Sequence, residues 1–366
     1  MKISRIARIG AIGAVAALAL AGCATNEGGA GGSSEPTESS LSGTIDATGA
    51  SSQAAAQEAW VAEFQTANPD VTVNYEPTGS GTGRENFLSG GSTFIGSDRA
   101  FDDEEVAAGG FGACVTDDIV EVPLYISPVA VAFNVEGVET LNLDAATIAG
   151  IFAGTITNWN DDAIASQNDG VELPDLAISP VHRSDDSGTT ETFVNYLAAT
   201  APDVWTYEVS GEWPISSGEA AQGTSGVVQA LTAGSGTIGY ADASQIGDLG
   251  QVHVGVDGEY IAYSAEAASL LVENSPLVEG RGAGDLVFDV DPASATGGAY
   301  PIALVSYLIG CEQYEDENSA ALVKAYFEYM ASAEGQDAAA ANAGSAPISD
   351  GLREQVLTAI DTIQVG

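Results

Sequence analysis

Residues 182–190 read His-Arg-Ser-Asp-Asp-Ser-Gly-Thr-Thr and run into Glu191-Thr192-Phe193-Val194-Asn195-Tyr196-Leu197, a stretch that reads as a helix. Arg183 stands two residues before Asp185, and Ser187-Gly188-Thr189 falls where the helix must begin. The first N–H groups of a helix have no intrahelical acceptor and lie at the positive end of its dipole, so such a turn grips oxyanions. Arginine adds a planar fork that matches two oxygens of one anion, and an aspartate beside it can hold that fork in place. Backbone donors at Ser187, Gly188 and Thr189 contribute hydrogen bonds without adding charge.

Three further turns share this design: Gly49-Ala50-Ser51-Ser52, Gly79-Ser80-Gly81-Thr82-Gly83 and Gly96-Ser97-Asp98. Each follows a strand-like segment, and ligands of open α/β sheets gather outside the carboxyl ends of strands. Their N–H groups and hydroxyls suit an oxyanion. Asp98 taken alone reads as a solvated loop acid or a helix cap. Beside three other donor-rich turns it joins the candidate site.

The charge balance makes a local anion site conspicuous. The 366 residues carry 52 acids and 9 bases. Lys2, Arg5 and Arg8 belong to a basic start followed by an apolar run from Ile9 to Leu20 and then Leu20-Ala21-Gly22-Cys23. This describes an export signal over residues 1–22, with a lipobox-like ending at which Cys23 becomes lipidated. Its removal leaves Arg84, Arg99, Arg183, Arg281, Lys324 and Arg353 against all the acids. Such a balance excludes nucleic acid and an electrostatic hold on anionic lipid, and it implies a well-hydrated surface. Residues 23–42, rich in Gly and Ser, read as a tether. Cys114 and Cys311 then remain, in a compartment that permits disulfides, and one bridge between them is expected, with two separate buried thiols as the alternative.

The elements that would position these turns alternate between strand and helix, which points to an α/β class. Ser51-Ser52 is expected to cap a helix through Asn68, with Trp60, Val61 and Phe64 inward. Val71–Tyr75 alternates as a strand. A second helix is expected from about Arg84, and another begins at Asp102-Asp103-Glu104-Glu105. Val120–Phe133 reads as a long strand crossing between lobes. Leu143–Gly154 reads as a helix capped by Asp144, Leu176–Val181 as a strand, Gly226–Ala233 as a helix and Gly236–Ala241 as a strand. Tyr300–Ile309 returns the chain to the first lobe, and helices follow around Asn318–Ala333 and Ser349–Ile363.

These turns, together with Ile151-Phe152, Asn158-Trp159-Asn160-Asp161-Asp162-Ala163-Ile164, Thr237-Ile238-Gly239-Tyr240 and Tyr300-Pro301-Ile302, occur in one order along nearly the whole mature chain. In this the sequence resembles the substrate-binding lipoproteins of bacterial ABC-type phosphate importers (PstS type). The resemblance implies a two-lobed, type II periplasmic-binding-protein-like α/β fold with two open mixed sheets flanked by helices and a two-strand hinge. Lobe 1 would comprise residues 43–125 and 299–366, and lobe 2 residues 126–298. It implies a monomer, palmitate-anchored outside the cell membrane, that binds inorganic phosphate and hands it to transporter permease subunits without catalysis. Matched position by position, Arg183, Ser187, Gly188 and Thr189 are the second-lobe donors, with Asp185 behind the arginine. Ser80 and Asp98 come from the first lobe, as do Ser51 and Ser52, where the family uses backbone N–H groups. Asp98 would accept the proton that phosphate retains near neutral pH and sulfate lacks, and so reject sulfate. Asp186 departs from the motif, which has glycine there, and is expected to point to solvent.

Alternatives from other classes are a binder of sulfate, molybdate or tungstate, an adhesion or sensing protein, and a phosphatase using Ser51, Ser187 or His182. No Gly-x-Ser-x-Gly elbow supports the last. His182 and His253 lack partners at metal-ligand spacing, so no metal and no cofactor are expected. No lysine follows a glycine-rich loop, which excludes a nucleotide P-loop. Trp159 and Trp205 read as core or lobe-surface residues.

Overall fold

The computed structural model describes residues 41–366; the export signal expected over residues 1–22, Cys23 and nearly all of the expected tether lie outside them. In chain order the first elements are β1 (Gly43–Gly49), α1 (Ala54–Ala67), β2 (Val71–Glu76), α2 (Ser80–Ser89), β3 (Phe94–Ser97), α3 (Asp103–Ala108) and β4 (Ile119–Asn134). Next come β5 (Thr140–Leu143), α4 (Ala145–Phe152), α5 (Asp162–Ala165), β6 (Ser179–Arg183), α6 (Gly188–Thr200) and β7 (Glu219–Ala221). They are followed by α7 (Gly223–Ala233), β8 (Thr237–Asp242), β9 (Gly250–Val256), β10 (Glu259–Ile261) and α8 (Ala265–Glu273). The chain closes with β11 (Ala303–Cys311), β12 (Gln313–Tyr314), α9 (Glu317–Ala331), α10 (Ala333–Ala343), α11 (Asp350–Ile360) and β13 (Gln364–Val365).

The strands run β2-β1-β3-β11-β4-β8-β6-β7, with β9 also paired to β4 and carrying β5 and β10. Two mixed sheets therefore meet in one shared strand. Residues Ile119–Pro128 of β4 pair with β11, and Val129–Asn134 pair with β8. The burial of β4 is almost unbroken, as expected of a strand covered on both faces. At the handover Val129 N–H donates to Ile302 O, tying β4 to the segment that leads into β11. These two segments are the two-strand connection expected from the sequence.

The first half is built on β2-β1-β3-β11 and the start of β4, the second on the end of β4 with β5 to β10. In the first half, α1 packs against α10, where Trp60 Nε1 donates to Gly335 O at 2.6 Å, and Phe64 meets Tyr326. In the second half, α7 covers β6 and β8 through Val181, Val227, Leu231 and Ala241. Trp159 belongs to the core, against Phe133, with its Nε1 on Gly236 O. Cys114 and Cys311 are bonded, closing a separation of 197 residues and pinning the loop after α3 to the end of β11.

Several boundaries differ from the sequence reading, each for a physical reason. Helix α1 is capped at Gln53 without a side-chain bond, because the Ser51 and Ser52 hydroxyls are engaged elsewhere. Helix α2 begins at Ser80, not Arg84. Gly81 and Gly83 weaken its local propensity, but Gly83 lies against Gly49, where a Cβ would stand 2.8 Å from Gly49 Cα. Close packing between backbones overrides propensity there. Leu143 ends β5 instead of opening α4, whose cap is Asp144 as expected. Strand β6 starts at Ser179 instead of Leu176. Strands β5, β7, β9, β10, β12 and β13 and helices α5, α8 and α10 were not anticipated.

Candidate functional site

The turns singled out in the sequence follow strands β1, β2, β3 and β6 at their carboxyl ends. Strand β1 leads into Ser51-Ser52, β2 into Ser80 at the start of α2, β3 into Asp98, and β6 into Ser187 at the start of α6. Ser51, Ser52, Ser80, Asp98, Arg183, Ser187 and Thr189 are all buried.

Asp98 is the meeting point. Its Oδ1 accepts from Ser52 Oγ and from Ser306 Oγ, both at 2.6 Å. Its Oδ2 accepts from Thr189 Oγ1 at 2.7 Å, a bond that joins the two halves. Its own N–H donates to Ser80 Oγ at 3.1 Å. Gly188 permits the approach, since a Cβ there would lie 2.6 Å from Asp98 Cβ.

On the second half, Arg183 donates through Nε to Asp185 Oδ1 at 2.8 Å and through Nη2 to Oδ2 at 2.5 Å. Asp185 also accepts from Gly223 N–H. Burial works against ionising Asp185, but the hydrogen bonds and charge of Arg183 outweigh it and hold the carboxyl below its ordinary value. The Ser187 hydroxyl caps α6 by accepting from Thr190 N–H. Among the described residues, the N–H groups of Ser52, Gly188 and Thr189 form no hydrogen bond to a protein acceptor. A buried guanidinium held from behind and a set of backbone donors without protein acceptors therefore lie close to one buried carboxylate.

The other singled-out residues fall away from this chemistry. Ser51 Oγ bonds Thr224 Oγ1 and accepts from Thr224 N–H, bridging the halves. His182 stacks on Trp213 with ring centres 5.1 Å apart, and its Nδ1 lies 2.9 Å from Arg183 O. His253 lies on β9. No group of three or more His, Cys, Asp or Glu able to hold a metal occurs among the described residues. Trp205 is buried beside Trp213.

Asp186 matches the sequence reading in part: its side chain is 40% exposed, but Arg84 Nη2 also donates to its Oδ2 at 2.9 Å, and its carbonyl accepts from Gly81 N–H at 3.2 Å. The reason is Coulombic, because Arg84 is a buried cation on α2 with this acid within reach across the cleft. Ser306, Thr224 and Arg84 were missed. Ser306 had a faint signal, as the one serine or threonine in the apolar run 303–310, but the run does not name its partner. Ser306 pairs with Tyr125 and Tyr307 with Pro123, so a bulge at Leu124 of β4 displaces the ladder where the Ser306 side chain turns toward Asp98. Thr224 also had one, since Gly223-Thr224-Ser225-Gly226 opens a helix much as Ser187-Gly188-Thr189 does.

This fold, with anion-suited groups gathered at strand ends where its two sheets meet, is that of the two-lobed binding-protein class. A family model described as a PBP superfamily domain matches residues 34–334. The chain is 33% identical over 327 residues to the phosphate-binding protein PstS 3 of Mycobacterium leprae, covering 87% of each chain. It is 30% identical over 325 residues to the phosphate-binding protein PstS 2 of Mycobacterium tuberculosis, again with 87% of each covered. Among solved structures, a phosphate-binding protein from Stenotrophomonas maltophilia superposes with a TM-score of 0.68 at 21% identity, over 86% of this chain and 93% of that one. The chain belongs to the PstS family of phosphate-binding proteins within the PBP superfamily.

Proposed function

We propose that this protein captures inorganic phosphate between its two halves and delivers it to an ABC transporter. The observation that carries this reading is the buried Asp98, which accepts a hydroxyl from each half beside the Arg183–Asp185 pair. A carboxylate has roughly four lone-pair positions. Three are met by Ser52, Ser306 and Thr189, which leaves about one for a ligand proton. Arg183 and the N–H groups of Ser52, Gly188 and Thr189 bind the oxygens; Ser51, Ser80 and Ser187 shape the turns that present them. Phosphate retains a proton at neutral pH and sulfate does not, so selectivity follows from Asp98 and affinity from the donors.

A binding role is favoured over hydrolysis by the engagement of the candidate nucleophiles. Ser51 bonds Thr224, Ser187 caps its own helix, and His182 stacks on Trp213. Export, lipidation of Cys23 and anchoring outside the cell membrane complete the reading, with permease subunits as partners and the protein acting as a monomer. Among the described residues no helix is long and apolar enough to cross a membrane. The deciding experiment is titration calorimetry of the purified protein with phosphate, arsenate and sulfate. Phosphate is expected to bind tightly and sulfate weakly; equal affinity for sulfate would remove the role given to Asp98.

A further inference from the structure

Two acids follow Arg183 and Ser184, and they serve different partners. Asp185 stays within its own half, on Arg183. Asp186 reaches into the other half and pairs with Arg84 at 2.9 Å. Arg84 is nearly buried, with 7% of its side chain exposed, and its Nη1 is buried without a hydrogen-bond partner. Its neighbour Arg99 is also a cation, and it reaches across to Glu191 of α6 at 3.4 Å. Burial and the nearby Arg99 charge both disfavour the charged form of Arg84.

We infer that Arg84 and Asp186 form an electrostatic latch across the cleft, so that affinity for the bound anion includes the energy of closing this pair. The idea rests on the proposed phosphate reading for its ligand, but not for its geometry. The fit is built on both sides. Gly81 N–H donates to Asp186 O, and a Cβ at Gly81 would overlap the Asp186 carboxylate. On its own half, Gly211 leaves room for the same side chain, since a Cβ there would overlap Asp186 Oδ1. When the halves part, Arg84 loses its only hydrogen-bonded acid and Gly81 loses its acceptor. Arg84 lies one turn into α2, past Ser80, and Asp186 immediately precedes Ser187, the N-cap of α6, so the latch sits beside both turns of the site. It explains how an acid can be kept next to an anion site. The repulsion it adds is offset by a cation that it reaches only in the closed arrangement.

This gives Asp186 an effect of unusual sign. If the carboxylate only repelled the anion, removing it would tighten binding. As a latch, its removal loosens binding and speeds release. The test is phosphate titration and stopped-flow release of the full chain carrying Asp186→Asn, with Asp186→Gly as a second variant. The expected result is affinity about tenfold weaker, mostly through faster dissociation. Arg84→Met is then measured in the wild-type and Asp186→Asn backgrounds; its penalty is expected to shrink at least about threefold in the second. Small-angle scattering without phosphate supplies an independent readout, with Asp186→Asn expected to expand relative to wild type. Tighter or unchanged binding by Asp186→Asn, or additive effects in the double variant, overturns the latch. Absence of phosphate binding in wild type would instead remove the phosphate reading, and scattering would still decide the latch.

Discussion

The two halves bring opposite chemistry to the line where they meet. The second half contributes a buried guanidinium and the N-terminus of α6, which are positive or donating. The first half contributes Asp98 and hydroxyls, which leave a net acceptor facing those donors. A site made of two donor walls would take any oxyanion of the right size. One donor wall and one acceptor wall suit an oxyanion that still carries a proton. On the proposed reading, attraction falls mainly to the second half and selection to the first, and mutation can separate them.

The largest effect is expected on the attracting side. Arg183→Ala removes the fork and leaves Asp185 buried without its cation. Truncating one member of such a pair costs about 2–5 kcal/mol, and a phosphate affinity weakened roughly 100- to 1000-fold is expected by calorimetry. Undiminished binding would mean that the attracting wall lies elsewhere. On the selecting side, Asp98→Asn exchanges an acceptor oxygen for an amide donor. Phosphate binding should weaken modestly, while the phosphate-to-sulfate ratio falls roughly 100-fold, or about 3 kcal/mol. A ratio that stays the same would break the division of labour between the halves.

How much of this was legible in the sequence follows the same division. The second-half wall is contiguous, residues 183–189, and its motif could be read directly. The first-half wall is assembled from four places, and its long-range members were only partly visible. Ser51, Ser52, Ser80 and Asp98 stood out because glycine-rich turns mark strand ends. Ser306 did not, because a hydroxyl in a buried strand reveals its partner only once the bulge at Leu124 of the neighbouring strand is known. The partner of Asp186 was not legible, because solvent exposure is the default for an acid in an acidic protein and nothing local announces that Arg84 lies across the cleft. The strand-helix alternation was legible from period and caps. Helix α2 was shortened because glycines needed for close packing look like a loop.

A second buried carboxylate sharpens the comparison. Asp242, at the end of β8, accepts from Tyr125 Oη at 3.0 Å and from Ser244 N–H and Oγ. Like Asp98 it is surrounded by hydroxyls, and burial pushes its carboxyl up to about 6 from an ordinary 3.8. A raised folded-state value means that the native protein binds this proton more tightly than the unfolded chain does. Its contribution therefore destabilises as pH rises from about 4 to 6 and is constant above that. Asp242→Asn should be more stable than wild type at pH 7 by about 2 kcal/mol, after allowing for weaker neutral hydrogen bonds. Urea unfolding at several pH values should show this gap closing toward pH 4. A gap independent of pH would mean that Asp242 is not the titrating group.

The smallest expected change tests whether joining the halves and choosing the ligand are the same act. Thr189→Val keeps the side-chain shape and removes the one hydroxyl that Asp98 receives from the second half. Asp98 retains Ser52 and Ser306, so its carboxylate stays in place as an acceptor. The loss of a hydrogen bond to a charged group predicts phosphate affinity weakened by about 1.5 kcal/mol, or roughly tenfold. The phosphate-to-sulfate ratio should stay near the wild-type value, because the acceptor that distinguishes the two ligands is untouched. If the ratio collapses with Thr189→Val as it does with Asp98→Asn, selection depends on the bond between the halves. If only affinity falls, Asp98 selects through its own charge, and Thr189 serves to bring the donor wall against it.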